Sequence, residues 1–511
     1  LYLDGNNLTT IPTMSLKGPK SLRVLSLSGN NIGGQKTTAL TKLPSLTHLH
    51  LEFNRVAALP IELIEATAST LATLALTRNL VREIPAGLFQ DFQELTRIEL
   101  SGNNLNVLPS ILFRNLDSLE RISIAGNRLE RIERATFDRL VNLSRIDLSG
   151  NLIERVENEA FVGLTNLYEL NLRGNRLASF SGDYLKPLQF LEWLNLSGNE
   201  LRSVDEFSFS QLIRLRTLNL AANRIESLNE LAFHNSTQLQ LLDLSGNEIE
   251  ALSERTMEGL LRLEHLNLRN NRLNSLPETI FDPTRVRSVE SIDLSGNRLN
   301  EIPIRSLQRQ TASLSSLNLA RNKMVELFSQ EVASNVKELD LSDNPLSANA
   351  IKGILGEAKI LRLNLSRNDL TELKATTLER ATMLETLDVS RNRLSDFSNM
   401  NQTFQALPAL RWLDVSNNHV KIVNETSFNS LTSLRFLKMS SLQNSLDERT
   451  GSVKIKGLRY NPIDCNCDAR HLWKWLKTVG NDDPSNLVLC SAPANLIGSS
   501  LTSLAEHRLS C

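Results

Sequence analysis

The chain is 511 residues long, 41% hydrophobic and 22% charged, with a formal net charge of −1. That balance excludes a disordered polyelectrolyte and a basic surface built to hold nucleic acid. No apolar run approaches the ~20 residues that a membrane-spanning helix needs. Length alone suggests three or four domains at about 150 residues each. Aromatic residues, however, make up only 5%, and leucine dominates, which favours one repetitive aliphatic core.

In chain order, LYLDGNNL opens partway through a strand, on Leu1 instead of a methionine. The sequence is therefore expected to be a piece of a longer precursor, with repeats missing in front. Next come LRVLSLSGNNI (22–32), LTRIELSGNNL (95–105), LSRIDLSGNLI (143–153), LQLLDLSGNEI (239–249) and LETLDVSRNRL (384–394). They share one template, L-x-x-L-x-L-x-x-N-x-L. Its marker asparagine recurs from Asn6 through Asn151 and Asn247 to Asn418, nearly always 24 residues apart. In the unit 143–166, Ile146 and Leu148 alternate with Arg145, Asp147 and Ser149, the period of a short half-buried strand. Asn151 ends the strand, since its amide can both donate to and accept from the turning backbone. Ile153 and Val156 return to the core, and Phe161 with Leu164 anchors the far side. A phenylalanine ten residues after the marker also appears at Phe89, Phe113, Phe137, Phe209, Phe233, Phe281 and Phe428. One such unit cannot cover its own apolar face, so neighbours must stack into a shared core.

This template, at this period, resembles the typical extracellular leucine-rich repeat (LRR), and the resemblance runs over essentially the whole chain. It implies an α/β leucine-rich repeat solenoid, a curved horseshoe with a concave parallel β-sheet. Residues 1–460 would form about 19–20 units. Between Asn271 and Asn368 the repeat lengths run 26, 25, 22 and 24, and a local change in curvature is expected there.

All four cysteines fall in the last 47 residues, at Cys465, Cys467, Cys490 and Cys511. An even cluster after so long a thiol-free stretch reads as a disulfide-stapled module and an oxidising compartment. The paired C-x2-C spacing of a zinc module is missing. Asp468 reads as an N-cap, with Ala469, Leu472, Trp473 and Leu476 at helical spacing before Gly480. Such a helix would close the open end of the solenoid, and Trp473 and Trp475 are read as lid packing, with a binding patch as the alternative. Residues 461–511 resemble the cysteine-rich C-terminal flank, or LRRCT-like cap, of secreted and cell-surface members of the family. That resemblance implies a disulfide-bonded C-terminal cap pairing Cys465 with Cys490 and Cys467 with Cys511; spacing alone leaves three connectivities open.

Catalytic motifs are missing. The recurrent SGN is a strand-ending turn with no phosphate-loop context, no G-x-S-x-G elbow occurs, and the seven histidines are dispersed. No enzyme activity and no cofactor are expected. THLHLEFN (47–54) sets His48, His50 and Glu52 on one strand face, as a metal site might, but every rung shows that alternation and the adjoining rungs add no strong ligand. What remains is an imidazole pair that would make binding sensitive to pH near ~6.5. Sequons at Asn7, Asn142, Asn235, Asn401 and Asn424 fit a secreted glycoprotein. Those at Asn195 and Asn364 sit in a strand column of asparagines and read as by-products of the template.

The third, fifth and seventh template positions should project from the concave sheet. The fifth is mostly Asn or Asp and the seventh mostly Ser or Ala, a polar lining. Departures from it are the candidate partner contacts. Arg97, Arg121 and Arg145 stack in the third column about 5 Å apart, with Glu99, Asp147 and Glu169 near enough to neutralise them internally. Trp193 and Trp412 occupy the same column, where interfaces concentrate Trp and Arg; packing on a neighbouring rung is the alternative.

The expected function is protein–protein recognition by a cell-surface or secreted protein. The repeat style looks like the chaoptin-type adhesion proteins, which implies cell adhesion with a protein ligand or homophilic partner and a possible homodimer. A ligand-binding ectodomain similar to Toll-type innate immune or developmental receptors is the alternative. Membrane attachment would come only through an anchor outside these residues, and no nucleic-acid partner is expected.

Overall fold

The structure is a computed structural model. It describes residues 1–11, 19–33, 43–310, 313–325, 335–346, 351, 359–395, 400–419, 430–438, 454–456, 463–464, 473, 477, 489–492, 496 and 498–505. The chain divides into two compact units, Leu1–Leu266 with Thr284–Arg287, and Asn267–Pro283 with Ser288–Cys511. In sequence the division falls between Leu266 and Ser288, a stretch that overlaps the 26-residue interval from Asn271 to Asn297.

Each unit is a parallel β-solenoid. In the first, three-residue strands run from Val24–Ser26 through His48–His50, Thr73–Ala75, Arg97–Glu99, Arg121–Ser123 and Arg145–Asp147 to Glu169–Asn171, Trp193–Asn195, Thr217–Asn219 and Leu241–Asp243. Each pairs in parallel with the next, template position against template position. The second unit repeats this from Ser291–Asp293 to Lys454–Lys456. The middle residue of each strand from Val24–Ser26 to Phe436–Lys438, such as Leu25, Ile146 or Leu387, is buried, and its two neighbours lie on the opposite face.

The marker asparagine holds successive rungs together. Asn151 donates its amide to Leu148 O at 2.9 Å in its own rung and to Ile124 O at 3.0 Å in the rung before. Its Oδ1 accepts the backbone N–H of Leu129 at 3.1 Å. The same set recurs at Asn103, Asn199, Asn247 and Asn392. Strands of three residues leave most backbone groups of the turn unpaired, and a buried asparagine amide supplies two N–H donors and an acceptor together, where a hydroxyl has a single proton to give. The residue before the marker is left-handed throughout. Glycine fills it at Gly126 and Gly150, with φ of 64° at both, but Phe53, Arg78 and Ala222 adopt 54–56° without that freedom.

On the outer side, the predicted phenylalanines form a spine. Phe113, Phe137 and Phe161 stack with ring centroids 5.8 and 6.1 Å apart, and Phe209 lies 6.0 Å from Phe233. Leu185 and Met257 take the same place in their units, both fully buried. Most outer segments are turns; short helices form at Ile61–Glu65 and Ile304–Leu307, each directly after a proline with φ near −75°. No helix among the described residues is long and apolar enough to cross a membrane. Near the C-terminus, Cys490–Ala492 pairs in parallel with Ile463–Asp464. Cys490 is buried and is not a free thiol. Cys465, Cys467 and Cys511, together with the expected cap helix except Trp473 and Lys477, lie outside the described residues. The Trp473 indole N–H donates to Leu504 O at 2.9 Å, a packing role within the C-terminal segment.

Candidate functional site

Strand register sets the candidate face, because pairing aligns like template positions in columns across the sheet. In the third column of the first unit, Val24 pairs with His48, Arg97 with Arg121, Arg121 with Arg145, and Trp193 with Glu169 and Thr217. The sequence-predicted contacts of this unit therefore stand on one face, in three groups.

His48 and His50 are half-buried, with rings 6.3 Å apart. His48 Nδ1 meets Thr47 Oγ1 at 2.8 Å, and His50 Nδ1 meets Glu52 Oε1 at 3.2 Å. Glu52 is already engaged by Ser28 Oγ at 2.6 Å, so the carboxylate ties two rungs together. No group of three or more His, Cys, Asp or Glu among the described residues has the arrangement of a metal site.

The arginine ladder is only partly neutralised. Arg97 pairs with Glu99 in its own strand, and Arg145 reaches Glu169 of the next rung at 3.4 Å. Asp147, expected to share the task, instead accepts the Ser149 backbone N–H at 2.9 Å. Arg121, between the two, has no ion pair among the described residues. Trp193 is half-buried one rung beyond Glu169.

In the second unit, Trp412 is half-buried and pairs with Thr386 on one side and Phe436 on the other, the latter 36% exposed. Trp412 closes a hollow of about 390 Å³ that extends over the strands from Ser316 to Asp388. Its floor is the fifth column. Asp340 accepts the amide of Asn364 at 3.1 Å, and Asp414, almost wholly buried, holds Lys438 at 2.9 Å. Among the described residues Asp388 is bonded to neither a cation nor an asparagine, although the charge of Lys438, held by Asp414, still favours its ionised form. Burial holds its carboxyl above the usual carboxylate range and neighbouring Asp414 adds to that, while Ser390 works the other way. This hollow was not read from the sequence, where the fifth column passed as uniform lining.

Among the sequons, Asn7 and Asn142 are exposed. Asn235 is exposed too, with φ of 68°, at a left-handed turn position that Asn115, Arg139 and Gly163 also fill. That position gives the asparagine a backbone reason to be there. Asn401 is half-buried, its carbonyl oxygen accepting the Ser430 N–H at 3.2 Å. Asn424 lies outside the described residues. Asn195 is buried and accepts the Ser197 N–H at 2.9 Å, a role the template itself assigns.

The profile of the leucine rich repeat family matches residues 1–56, 398–446 and, in overlapping segments, 69–285, more than half of the chain. The chain belongs to the leucine-rich repeat family. It is 30% identical over 252 residues to trophoblast glycoprotein of Macaca fascicularis, covering 44% of this chain and 60% of that protein. It is 30% identical over 161 residues to Toll-like receptor 4 of Pongo pygmaeus, covering 31% of this chain and 18% of the receptor. The chain thus spans less than two-thirds of the length of the curated relatives it matches. Among solved structures, the mouse RP105/MD-1 complex matches with a TM-score of 0.66 at 22% identity, over 100% of this chain and 86% of that one. The Drosophila Toll–Spatzle complex matches at 0.63 and 23%, over 91% and 61%. At these identities the solved structures speak to the fold alone.

Proposed function

We propose that this leucine-rich repeat chain is the extracellular recognition part of a cell-surface or secreted protein, and that it binds a protein partner on its strand face. The observation that carries the reading is the strand face itself. Trp193 in the first unit and Trp412 in the second stand in its mostly polar columns without being fully buried, and Arg121 makes no ion pair there among the described residues. Such positions release water and gain contacts only when something covers them, which is why interface energy concentrates in Trp and Arg. Disulfide pairing of Cys465 with Cys490 and of Cys467 with Cys511, and glycans at Asn7, Asn142, Asn235, Asn401 and Asn424, belong to the same reading. So do a pH-sensitive contribution from His48 and His50 and an anchor supplied from outside these residues.

The first finer reading is adhesion, including binding to a second copy of the chain. The second is a receptor ectodomain with a separate protein ligand. It is supported by likeness to RP105 and Toll, whose solved complexes contain MD-1 and Spatzle, and by the Toll-like receptor 4 match. The test is to display the chain through a foreign anchor on suspension cells. Adhesion by self-recognition makes those cells cluster with one another, and Trp193→Ala or Trp412→Ala weakens clustering by roughly 2 kcal/mol per contact, about thirtyfold. Cells that stay single end the adhesion reading. Partner binding indifferent to Trp193, Trp412 and Arg121 alike ends the strand-face reading altogether.

A further inference from the structure

The hollow in the second unit has a chemistry of its own. Its walls come from Ser316–Asn318, Glu338–Asp340, Arg362–Asn364 and Thr386–Asp388, with the Trp412 ring at one end. Three carboxylates line it, Glu338, Asp340 and Asp388, against one cation, Arg362. That guanidinium is already bound to Glu338 at the rim. Asp340 is satisfied by neutral donors, Asn364 Nδ2 at 3.1 Å and Ser342 N at 2.9 Å. Asp388 receives the Ser390 N–H at 2.9 Å, and Lys438, two rungs on, is held by Asp414. The space between the indole and the carboxylate floor therefore carries an excess of negative charge in a partly desolvated setting.

We propose that this hollow receives a lysine or arginine side chain presented by a protein partner. An indole face attracts a cation electrostatically, and carboxylates make with it the shorter, stronger hydrogen bonds of ionised pairs. An acidic side chain would meet three carboxylates. An apolar one would strip the remaining water from Asp340 and Asp388 and return nothing for it. A long cationic side chain alone answers both the ring and the floor, its methylenes lying along Trp412 while its head reaches Asp388. Arginine fits somewhat better than lysine, because its planar fork can stack and donate at once. The proposal rests on the strand-face reading above and adds the partner's chemistry at one place on it.

The test uses the whole chain labelled with 5-fluorotryptophan, which gives four resonances for the four tryptophans; Trp412→Phe assigns the relevant one. The probes are two blocked pentapeptides, Gly-Gly-Arg-Gly-Gly and its counterpart with citrulline, the neutral isostere of arginine. The arginine peptide shifts the Trp412 resonance saturably, and the citrulline peptide binds about tenfold more weakly or not at all. Asp388→Asn, which installs the residue Asn318 and Asn364 already provide in that column, weakens arginine binding several-fold. Asp243→Asn in the first unit leaves it unchanged. Unchanged resonances from the other three tryptophans show that the Asp388 variant is folded. A Trp412 resonance that ignores the arginine peptide, or answers both peptides equally, overturns the proposal. That failure is separate from failure of the strand-face reading: a partner that still needs Trp193 or Arg121 would leave the face in place and remove only this occupant.

Discussion

Asn223→Ala probes the ladder that makes this repeat cohere. Asn223 donates to Leu196 O at 3.0 Å, Leu220 O at 2.9 Å and Ala221 O at 3.3 Å, and its Oδ1 accepts Leu201 N–H at 3.1 Å. The four bonds are unequal in consequence. Leu196 O keeps the amide of Asn199 at 2.9 Å, and Leu220 O keeps that of Asn247 at 3.0 Å. Each carbonyl is shared by two successive markers, so each retains a partner. Leu201 N–H, on a residue only 2% exposed, loses its one acceptor. An orphaned buried donor costs about 1–3 kcal/mol, and each shared bond adds about 0.5–1.5 kcal/mol. The expected loss is therefore about 2–6 kcal/mol, centred on the rungs before and at Asn223. Asn223→Asp keeps the acceptor but turns a carboxylate toward two carbonyls, so at neutral pH it costs more than alanine and recovers on acidification. Asn6→Ala is the internal control, since its amide reaches only Leu3 O and Asp4 O on an exposed end and its loss costs under about 1 kcal/mol. A repeat chain of two compact units need not unfold in one step, so the readout is native-state hydrogen exchange of the Leu201 amide. A Leu201 amide as protected in Asn223→Ala as in the parent would refute the reasoning.

Substitutions at two further positions test the core and the hollow. Phe137→Ala removes the middle ring of the Phe113–Phe161 stack and should cost about 3–5 kcal/mol. Phe137→Leu should cost less than about 1.5 kcal/mol, because Leu185 fills that place in its own unit; equal urea midpoints for the two variants would contradict this. Asp388→Asn should raise thermal stability at pH 7. The folded carboxyl titrates above its unfolded value of ~3.9, so the fold holds the proton more tightly, and the parent loses stability as pH rises through the folded value. The advantage of the variant should therefore shrink to nothing below the unfolded value, and a gain that persists unchanged at that pH contradicts the assignment.

Much of the fold was legible because the repeat states the same physics many times. Strand centres at Ile146 and Leu387, the marker Asn151 and the spine residue Phe161 are each dictated within one unit, and stacking carries them to the next. Less was legible at the turn before the marker. The motif SGN suggests that glycine is required there, yet Phe53, Arg78 and Ala222 hold the same left-handed backbone. Flanking bonds fix the turn firmly enough to absorb about 1–2 kcal/mol of unfavourable conformation. The outer segments were also undetermined, since a proline at one template position leads into a short helix at Pro60 and Pro303 but into turns at Pro85, Pro109 and Pro277, and the leucine pattern is indifferent to the difference.

The candidate site was legible by column but not by pairing. Each of these fifth-column aspartates serves its own strand end, and beyond that they differ: Asp340 takes an asparagine, Asp414 takes a lysine, and Asp147 and Asp388 take neither. The difference lies one rung away, 24 or more residues along the chain, where a window on a single unit cannot see it. Read down the column, the second unit runs Asp293–Asn318, Asp340–Asn364, Asp388–Asp414 and then Lys438. The first two pairs close on themselves, with Asn318 donating to Asp293 at 3.2 Å and Asn364 to Asp340. In the third pair an aspartate stands where an asparagine would donate, and the first cation that follows, Lys438, goes to the second of the two. The open carboxylate was thus written in the order of the column, and Trp412 marks the rung where the order changes.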